Sequence, residues 1–225
     1  MIRIIALFLG LCMFLACKKK QDIAANTAQT TTSTDTTIKP ADTTVRHPIT
    51  VNTAVGTGAS ATDSFITYLI KKGNNYCENN AYNITNYIYL HFRASFDSSG
   101  IYSTDTTANQ QDINKLYGFA DCSSHHQTNS ARFGWNWYNG AMHIHAYCYS
   151  GGVRSYKELG IVNLKETFDC QLTVLPGKYL FTLNGKTDTM SRGCTENSAF
   201  GYKLLPYFGG NEAAKQDVSI RIREL

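Results

Sequence analysis

The sequence predicts an all-β domain, a two-sheet antiparallel β-sandwich of jelly-roll type. Three observations predict it. Short runs between residues 65 and 225 alternate apolar and polar residues with a period of two, the pattern of half-buried strands. Gly- and Asn-containing dipeptides punctuate those runs at short intervals, as turns do. Tyr and Phe are abundant, at 14 and 11 residues of 225, and no window sustains the three-to-four-residue apolar period of a helix.

The elements follow in order. "FITYLIKK" alternates through Ile66, Tyr68 and Ile70. "YIYLHFRASF" sets Ile88, Leu90, Phe92, Ala94 and Phe96 on one side, with Tyr87, Tyr89, His91, Arg93 and Ser95 on the other. "ARFGWNWY" and "AMHIHAYCYS" flank Asn139-Gly140, the strongest short hairpin signal, because a type I′ turn needs positive φ at both central residues. A two-residue loop fixes the pairing: Tyr138 faces Ala141, Trp137 faces Met142, Asn136 faces His143, and so on to Arg132 facing Tyr147. Directly opposed side chains share a face. Phe133, Trp135, Trp137, Met142, Ile144 and Ala146 therefore form an apolar surface. Arg132, Asn136, His143, His145 and Tyr147 form a polar one, with an open spot at Gly134 opposite His145. "TFDCQLTV", "YLFTLN" and "DVSIRIREL" repeat the two-residue period, and Pro176-Gly177 and Asn184-Gly185 mark further turns.

Three segments divide the chain: residues 1–16, 17–62 and 63–225. Arg3 precedes a charge-free apolar run from Ile4 to Leu15, too short for a mature membrane span, so residues 1–16 read as a signal peptide. The run ends in Phe14-Leu15-Ala16-Cys17, which resembles the lipobox of bacterial lipoproteins. That resemblance implies cleavage before Cys17 and a lipid on its thiol. Lys18, Lys19 and Lys20 and a Thr-, Ala-, Asp- and Ser-dominated stretch to residue 62 follow, with too little apolar surface to repay ordering. This stretch reads as a disordered, flexible linker. Asp35-Thr36-Thr37 and Asp42-Thr43-Thr44 resemble O-glycosylation sites of exported Bacteroidota proteins. The lysine triplet lacks the acidic residues of surface-export signals, so the expected location is the periplasmic side of the outer membrane.

Residues 63–225 carry fifteen Lys plus Arg against fourteen Asp plus Glu, leaving one unit of the chain's +4 in the domain. A near-neutral domain without basic runs argues against nucleic acid, whose phosphates demand neutralisation. Five cysteines fall in the domain: Cys77, Cys122, Cys148, Cys170 and Cys194. An exported context permits disulfides, but an odd number leaves at least one thiol free or paired between chains, and the pairing stays open. Cys148 and Cys170 lie on apolar strand faces, as buried free thiols do.

Two resemblances add to this. The closing stretch "GYKLLPYFGGNEAAKQDVSIRIREL" is similar to the end of concanavalin A-like jelly rolls, the fold of laminarinase-type glycosidases and alginate-lyase-type polysaccharide lyases. "DINKLYGFAD" and "RFGWNWYNG" resemble recurring phrases of exported Bacteroidota proteins. The first resemblance implies two bent, stacked sheets with a sugar-binding cleft on the concave one.

Three chemistries compete for the polar face. Glycoside hydrolysis needs two flanking carboxylates; Glu78, Glu158, Glu166, Glu196, Glu212 and Glu224 form no Glu-x-Asp-x-Glu pattern. β-Elimination from a uronate needs a carboxylate neutraliser, a base and an acid; His145, Tyr147, Arg132 and Asn136 supply those types on one face. "YFGGNEAA" resembles the lyases' Tyr-Phe-Lys-x-Gly motif, without its lysine. A metal site would use His-x-His at 143 and 145, as in cupins, but the following glutamate is missing, and His125-His126 reads as a solvated loop; no metal and no cofactor are assigned. Aromatic rings beside Arg, Asn and His suit sugars, since rings stack on C–H faces and planar polar groups bind hydroxyls. The preferred reading is a glycan-binding face of Arg132, Asn136, His143, His145 and Tyr147, joined by Tyr89, His91 and Arg93 if that strand shares the sheet. A uronate lyase and a purely structural lipoprotein are the alternatives.

Overall fold

A computed structural model describes residues 64–225. The expected signal peptide, lipidated Cys17 and linker lie outside the described residues. The domain is two six-stranded antiparallel sheets joined by turns, loops and two short 3₁₀ turns at Ser98–Gly100 and Asn109–Gln111. The first sheet has the order β1 (Ile66–Ile70), β12 (Val218–Glu224), β3 (Tyr89–Phe96), β8 (Phe168–Leu175), β9 (Lys178–Leu183) and β10 (Lys186–Ser191). The second has the order β2 (Ile84–Tyr87), β11 (Ala199–Leu204), β4 (Asn114–Ala120), β5 (Ser130–Tyr138), β6 (Ala141–Ser150) and β7 (Val153–Val162). This is the jelly-roll sandwich that the alternating pattern predicts.

The period-two pattern builds the core. Leu90, Phe92, Ala94 and Phe96 of β3 are buried in this core, and Phe92 and Phe96 meet Phe133 and Trp135 of β5 across the gap between the sheets, with ring centroids 5.5 Å apart for Phe92–Phe133 and 5.0 Å for Phe96–Trp135. Phe181 of β9 packs on Phe133 at 5.0 Å. Such aromatic pairs add about 0.5–1.5 kcal/mol each beyond their area burial. Cys148 and Cys170 are buried free thiols in this core, as is Cys77, while Cys122 and Cys194 form a disulfide.

The β5–β6 hairpin has the predicted register at every pair from Tyr138↔Ala141 to Arg132↔Tyr147. Asn139 and Gly140 have φ of 48° and 73°, as a type I′ turn requires. Asn184 and Gly185 repeat this geometry between β9 and β10, at 47° and 84°.

Two expectations fail here. The run from Tyr87 to Phe96 is not one strand: Tyr87 closes β2 in the second sheet, β3 opens at Tyr89 in the first, and Ile88 between them is 66% exposed. Tyr89, His91 and Arg93 therefore lie in the other sheet from Arg132, pairing with β8 at Thr173, Gln171 and Asp169. They do not join the hairpin's polar face.

Candidate functional site

The outward face of the second sheet is built by register. Lys115 of β4 lies opposite Gly134 of β5, and Gly118 opposite Arg132. His145, Tyr147 and Tyr149 of β6 lie opposite Glu158, Tyr156 and Arg154 of β7. A Cβ at Gly118 would stand 2.1 Å from the Ala131 carbonyl oxygen and 2.7 Å from Arg132 Cα. Glycine there lets β4 run close beneath the Arg132 side chain.

Over this face lies a cavity of about 690 Å³. Its floor is Lys115, Arg132, Tyr147 and Tyr149. Its walls are loops: Tyr76 and Tyr82 before β2, His125 and His126 between β4 and β5, and Tyr207 after β11. The wall rings pair, Tyr76 with Tyr207 and Tyr82 with Tyr202 of β11, both at 5.0 Å. Tyr76 and Tyr82 are strongly exposed, presenting apolar ring faces to anything that enters. No Asp or Glu is among the described residues that line it.

Arg132 is the unusual group. It is 7% exposed, and its Nε is buried without a hydrogen-bond partner. The guanidinium carbon lies 5.7 Å from the Tyr147 ring centroid, and Lys115 Nζ lies 4.8 Å from the same centroid, so one phenol ring faces two cations. Burial pushes the Arg132 pKa down, against the pull of Tyr147 and Tyr149. Arg192, the other buried arginine among the described residues, shows the ordinary solution. Its Nε donates to Asp121 Oδ2 at 2.6 Å, Nη2 to Asp121 Oδ1 at 3.2 Å, and further bonds reach the Ser198, Glu196 and Leu175 carbonyls. A buried cation without its counter-charge costs several kcal/mol.

His126 lies in the β4–β5 loop, as expected, but it is half-buried there and forms part of the cavity wall beside the exposed His125. Its backbone N–H donates to Tyr202 Oη at 3.1 Å, its Nδ1 lies 2.8 Å from the same oxygen, and its ring packs on His125 at 4.1 Å. Burial, then the positive charge of Arg132, lowers its pKa to about 4, so the imidazole is neutral near pH 7. Cys122, next in the same loop, is tied to Cys194 and offers no thiolate to a metal.

The hairpin's other predicted residues lie apart from this cavity. Asn136 and His145 are buried, at 5% and 7% exposure, beneath the segment that leads into β4. Asn136 Nδ2 donates to the Gln111 carbonyl at 3.1 Å, and His145 Nε2 donates to Asn136 Oδ1 at 3.0 Å. The spot above Gly134 is not open: a Cβ there would lie 2.4 Å from Ile113 Cγ2 and 3.0 Å from the Asn114 carbonyl oxygen. His143 Nε2 donates to the Tyr138 carbonyl at 3.1 Å, and Nδ1 faces Glu158 at 3.1 Å. The structure thus brings Arg132 and Tyr147 into the cavity, and gathers Asn136 and His145 under a roof, with the His143 ring 6.5 Å from that of His145. Sequence reasoning missed Lys115, His126, Tyr76, Tyr82, Tyr202 and Tyr207. Their one shared signal is residue type, since loops and strands distant in sequence bring them together.

No family model matches the sequence, and no curated protein matches it. The fold does match solved structures. Alginate lyase AlyC3 aligns at a TM-score of 0.50 and 11% identity, over 72% of this chain and 74% of that one. Alginate lyase A1-II′, a member of polysaccharide lyase family 7, aligns at 0.43 and 13%, over 72% and 78%. The laminarinase domain LamAcat from Zobellia galactanivorans aligns at 0.43 and 11%, over 72% and 76%. The AlyC3 likeness shows the jelly-roll fold; at such identity, function must be argued from this chain's own residues.

Proposed function

We propose that this protein binds carbohydrate in the cavity on the outer face of its second sheet, and that it does so as a lipoprotein held to a bacterial membrane through Cys17. The signal-like residues 1–16 and the linker support the tether, and the lysine triplet at 18–20, without the acidic residues of surface-export signals, supports the periplasmic side of the outer membrane. The observation that carries the binding role is Arg132: a buried cation with an unpartnered Nε, in an aromatic cavity with no carboxylate among the described residues that line it. Such a group is stabilised by an arriving anion, and the exposed Tyr76 and Tyr82 rings suit the C–H faces of sugars. An acidic glycan joins both features.

A second reading, cleavage of a uronate glycan by β-elimination, is favoured by the neutral His126 in the cavity wall. In that reaction a base takes the proton at C5, and the electron pair forms the C4–C5 double bond. The C4–oxygen bond breaks, and the leaving oxygen takes a proton from an acid. His126 is free to accept a proton, Arg132 to neutralise the carboxylate, and Tyr202 or Tyr207 to donate.

A glycan array on residues 63–225, followed by ultraviolet absorbance of unsaturated uronate products, separates these roles. Binding without a gain in absorbance is the expected result. A gain that disappears in His126→Ala supports the lyase, while a blank array with no turnover leaves a structural role and overturns the proposal.

A further inference from the structure

The floor of the groove contains a second cation that no motif marks. We infer that Lys115 is a specificity-determining residue of this site, its amine serving with the Arg132 guanidinium as a two-point seat for the ligand's anionic group. This rests on the glycan reading above.

The geometry comes from the strip Tyr207–Gly210, which runs beside β4. Lys115 and Tyr207 exchange backbone hydrogen bonds, Lys115 N to the Tyr207 carbonyl at 2.8 Å and Tyr207 N to the Lys115 carbonyl at 2.9 Å. A Cβ at Gly209 would meet Tyr207 Cε1 at 2.1 Å, and one at Gly210 would meet Asp112 Oδ2 at 1.8 Å. The strip therefore has no room for side chains here and presents carbonyl groups instead. Lys115 Nζ donates to the Ile113 carbonyl at 2.6 Å and reaches the Gly209 carbonyl at 3.5 Å. An ammonium has three N–H donors, so these two anchors fix its direction and leave one donor for a ligand.

Its position is equally specific. A second, smaller cavity of about 90 Å³ adjoins the first, lined by Arg154 and Tyr156 of β7 among others. Lys115, Tyr147 and Gly210 line both cavities. The amine thus borders both compartments, within reach of a ligand that spans them. The groups facing Lys115 are Arg132 of β5, Tyr147 of β6, Arg154 of β7, Tyr207 of the strip and Asp112 before β4. Asp112 Oδ2 already accepts from the Asn211 N–H at 3.2 Å. Burial, then Arg132, brings the Lys115 pKa down to about 8, against the opposing pull of Asp112. The amine is charged below that value and loses its charge above it.

The test is calorimetric titration of wild type, Lys115→Met and Lys115→Arg with short oligouronates and with neutral β-glucan oligomers of equal length, on either side of pH 8. Loss of one charge-assisted hydrogen bond predicts that Lys115→Met binds the oligouronate about ten- to a hundredfold more weakly. Neutral oligomers lose nothing. Wild-type affinity for the acidic probe falls as pH rises through about 8, Lys115→Arg shows no such fall, and Lys115→Met is flat and weak. Equal weakening toward neutral oligomers, or an unchanged pH profile in Lys115→Met, overturns the role of Lys115 and leaves glycan binding standing. Wild type binding neither probe overturns both. A ligand-free NMR titration of the lysine side-chain amine, with a midpoint near 8 rather than the ordinary 10.5, guards against a variant that simply fails to fold.

Discussion

Arg132 of β5 and Tyr147 of β6 are direct register partners, and the guanidinium carbon stands 5.7 Å from the phenol ring. This contact and the field of neighbouring phenols are weaker partners than the carboxylate that holds Arg192. Arg132→Met should therefore leave the folding stability unchanged or raise it, by about 1 kcal/mol or more, because a desolvated cation disappears. The same variant should lose affinity for acidic glycans. A stabilised, non-binding variant identifies a group kept for function at a cost in stability. A clear drop in melting temperature would assign Arg132 to the scaffold.

The hairpin supplies a second prediction. Gly140 has φ of 73°, and nothing lies within 4 Å of where its Cβ would stand. Gly140→Val should destabilise through the backbone alone, by roughly 1–2 kcal/mol, since a β-branched residue resists the left-handed region. Chemical denaturation that shows no change would place the turn elsewhere and undo the register of the whole face.

At Gly134 the obstacle is the roof rather than φ. Gly134→Ala should cost about 1–3 kcal/mol by pressing its methyl against Ile113 and the Asn114 carbonyl. It should also loosen the segment from Asn109 to Ile113, which hydrogen exchange at those amides would register. Ordinary stability with unchanged exchange would mean that the roof yields easily.

The difference between Gly134 and Gly140 shows what the sequence makes legible. The hairpin register is local: two residues of turn chemistry and a period of two determine it, and both are present in "ARFGWNWYNGAMHIHAYCYS". The roof over Gly134 comes from residues 109–113, which no periodicity ties to β5 or β6. Strand order is likewise non-local. Nothing in the alternation of "YIYLHFRASF" says that Tyr87 and Tyr89 belong to different sheets, and that break at Ile88 removed Tyr89, His91 and Arg93 from the face. The cavity walls were hidden for the same reason. Tyr76, His126, Tyr202 and Tyr207 come from separate stretches, and the disulfide between Cys122 and Cys194 spans 72 residues.

His145 gives the stability a pH dependence. Burial brings its pKa down to about 4 from 6.5, and a proton on its partnerless buried Nδ1 would find no acceptor. Between those values the unfolded chain binds the proton and the folded chain does not. Stability from this group is therefore complete above about 6.5 and declines as pH falls toward about 4, by about 3 kcal/mol at most. His145→Gln keeps a donor for Asn136 and removes the titration. The loss of stability between about pH 7 and about pH 4 should shrink in that variant. A parallel pH profile in both proteins would show that His145 titrates normally.

The central claim is that an anionic sugar group seats on the cations at the cavity floor. NMR of the arginine Nε–H resonances during titration with short oligouronates tests it most directly, because the Arg132 Nε–H is buried without a partner in the ligand-free protein. The Arg132 resonance should shift in a saturable way, while that of Arg93 on the opposite sheet stays in place. Saturable shifts at Arg93 with a stationary Arg132 would contradict it.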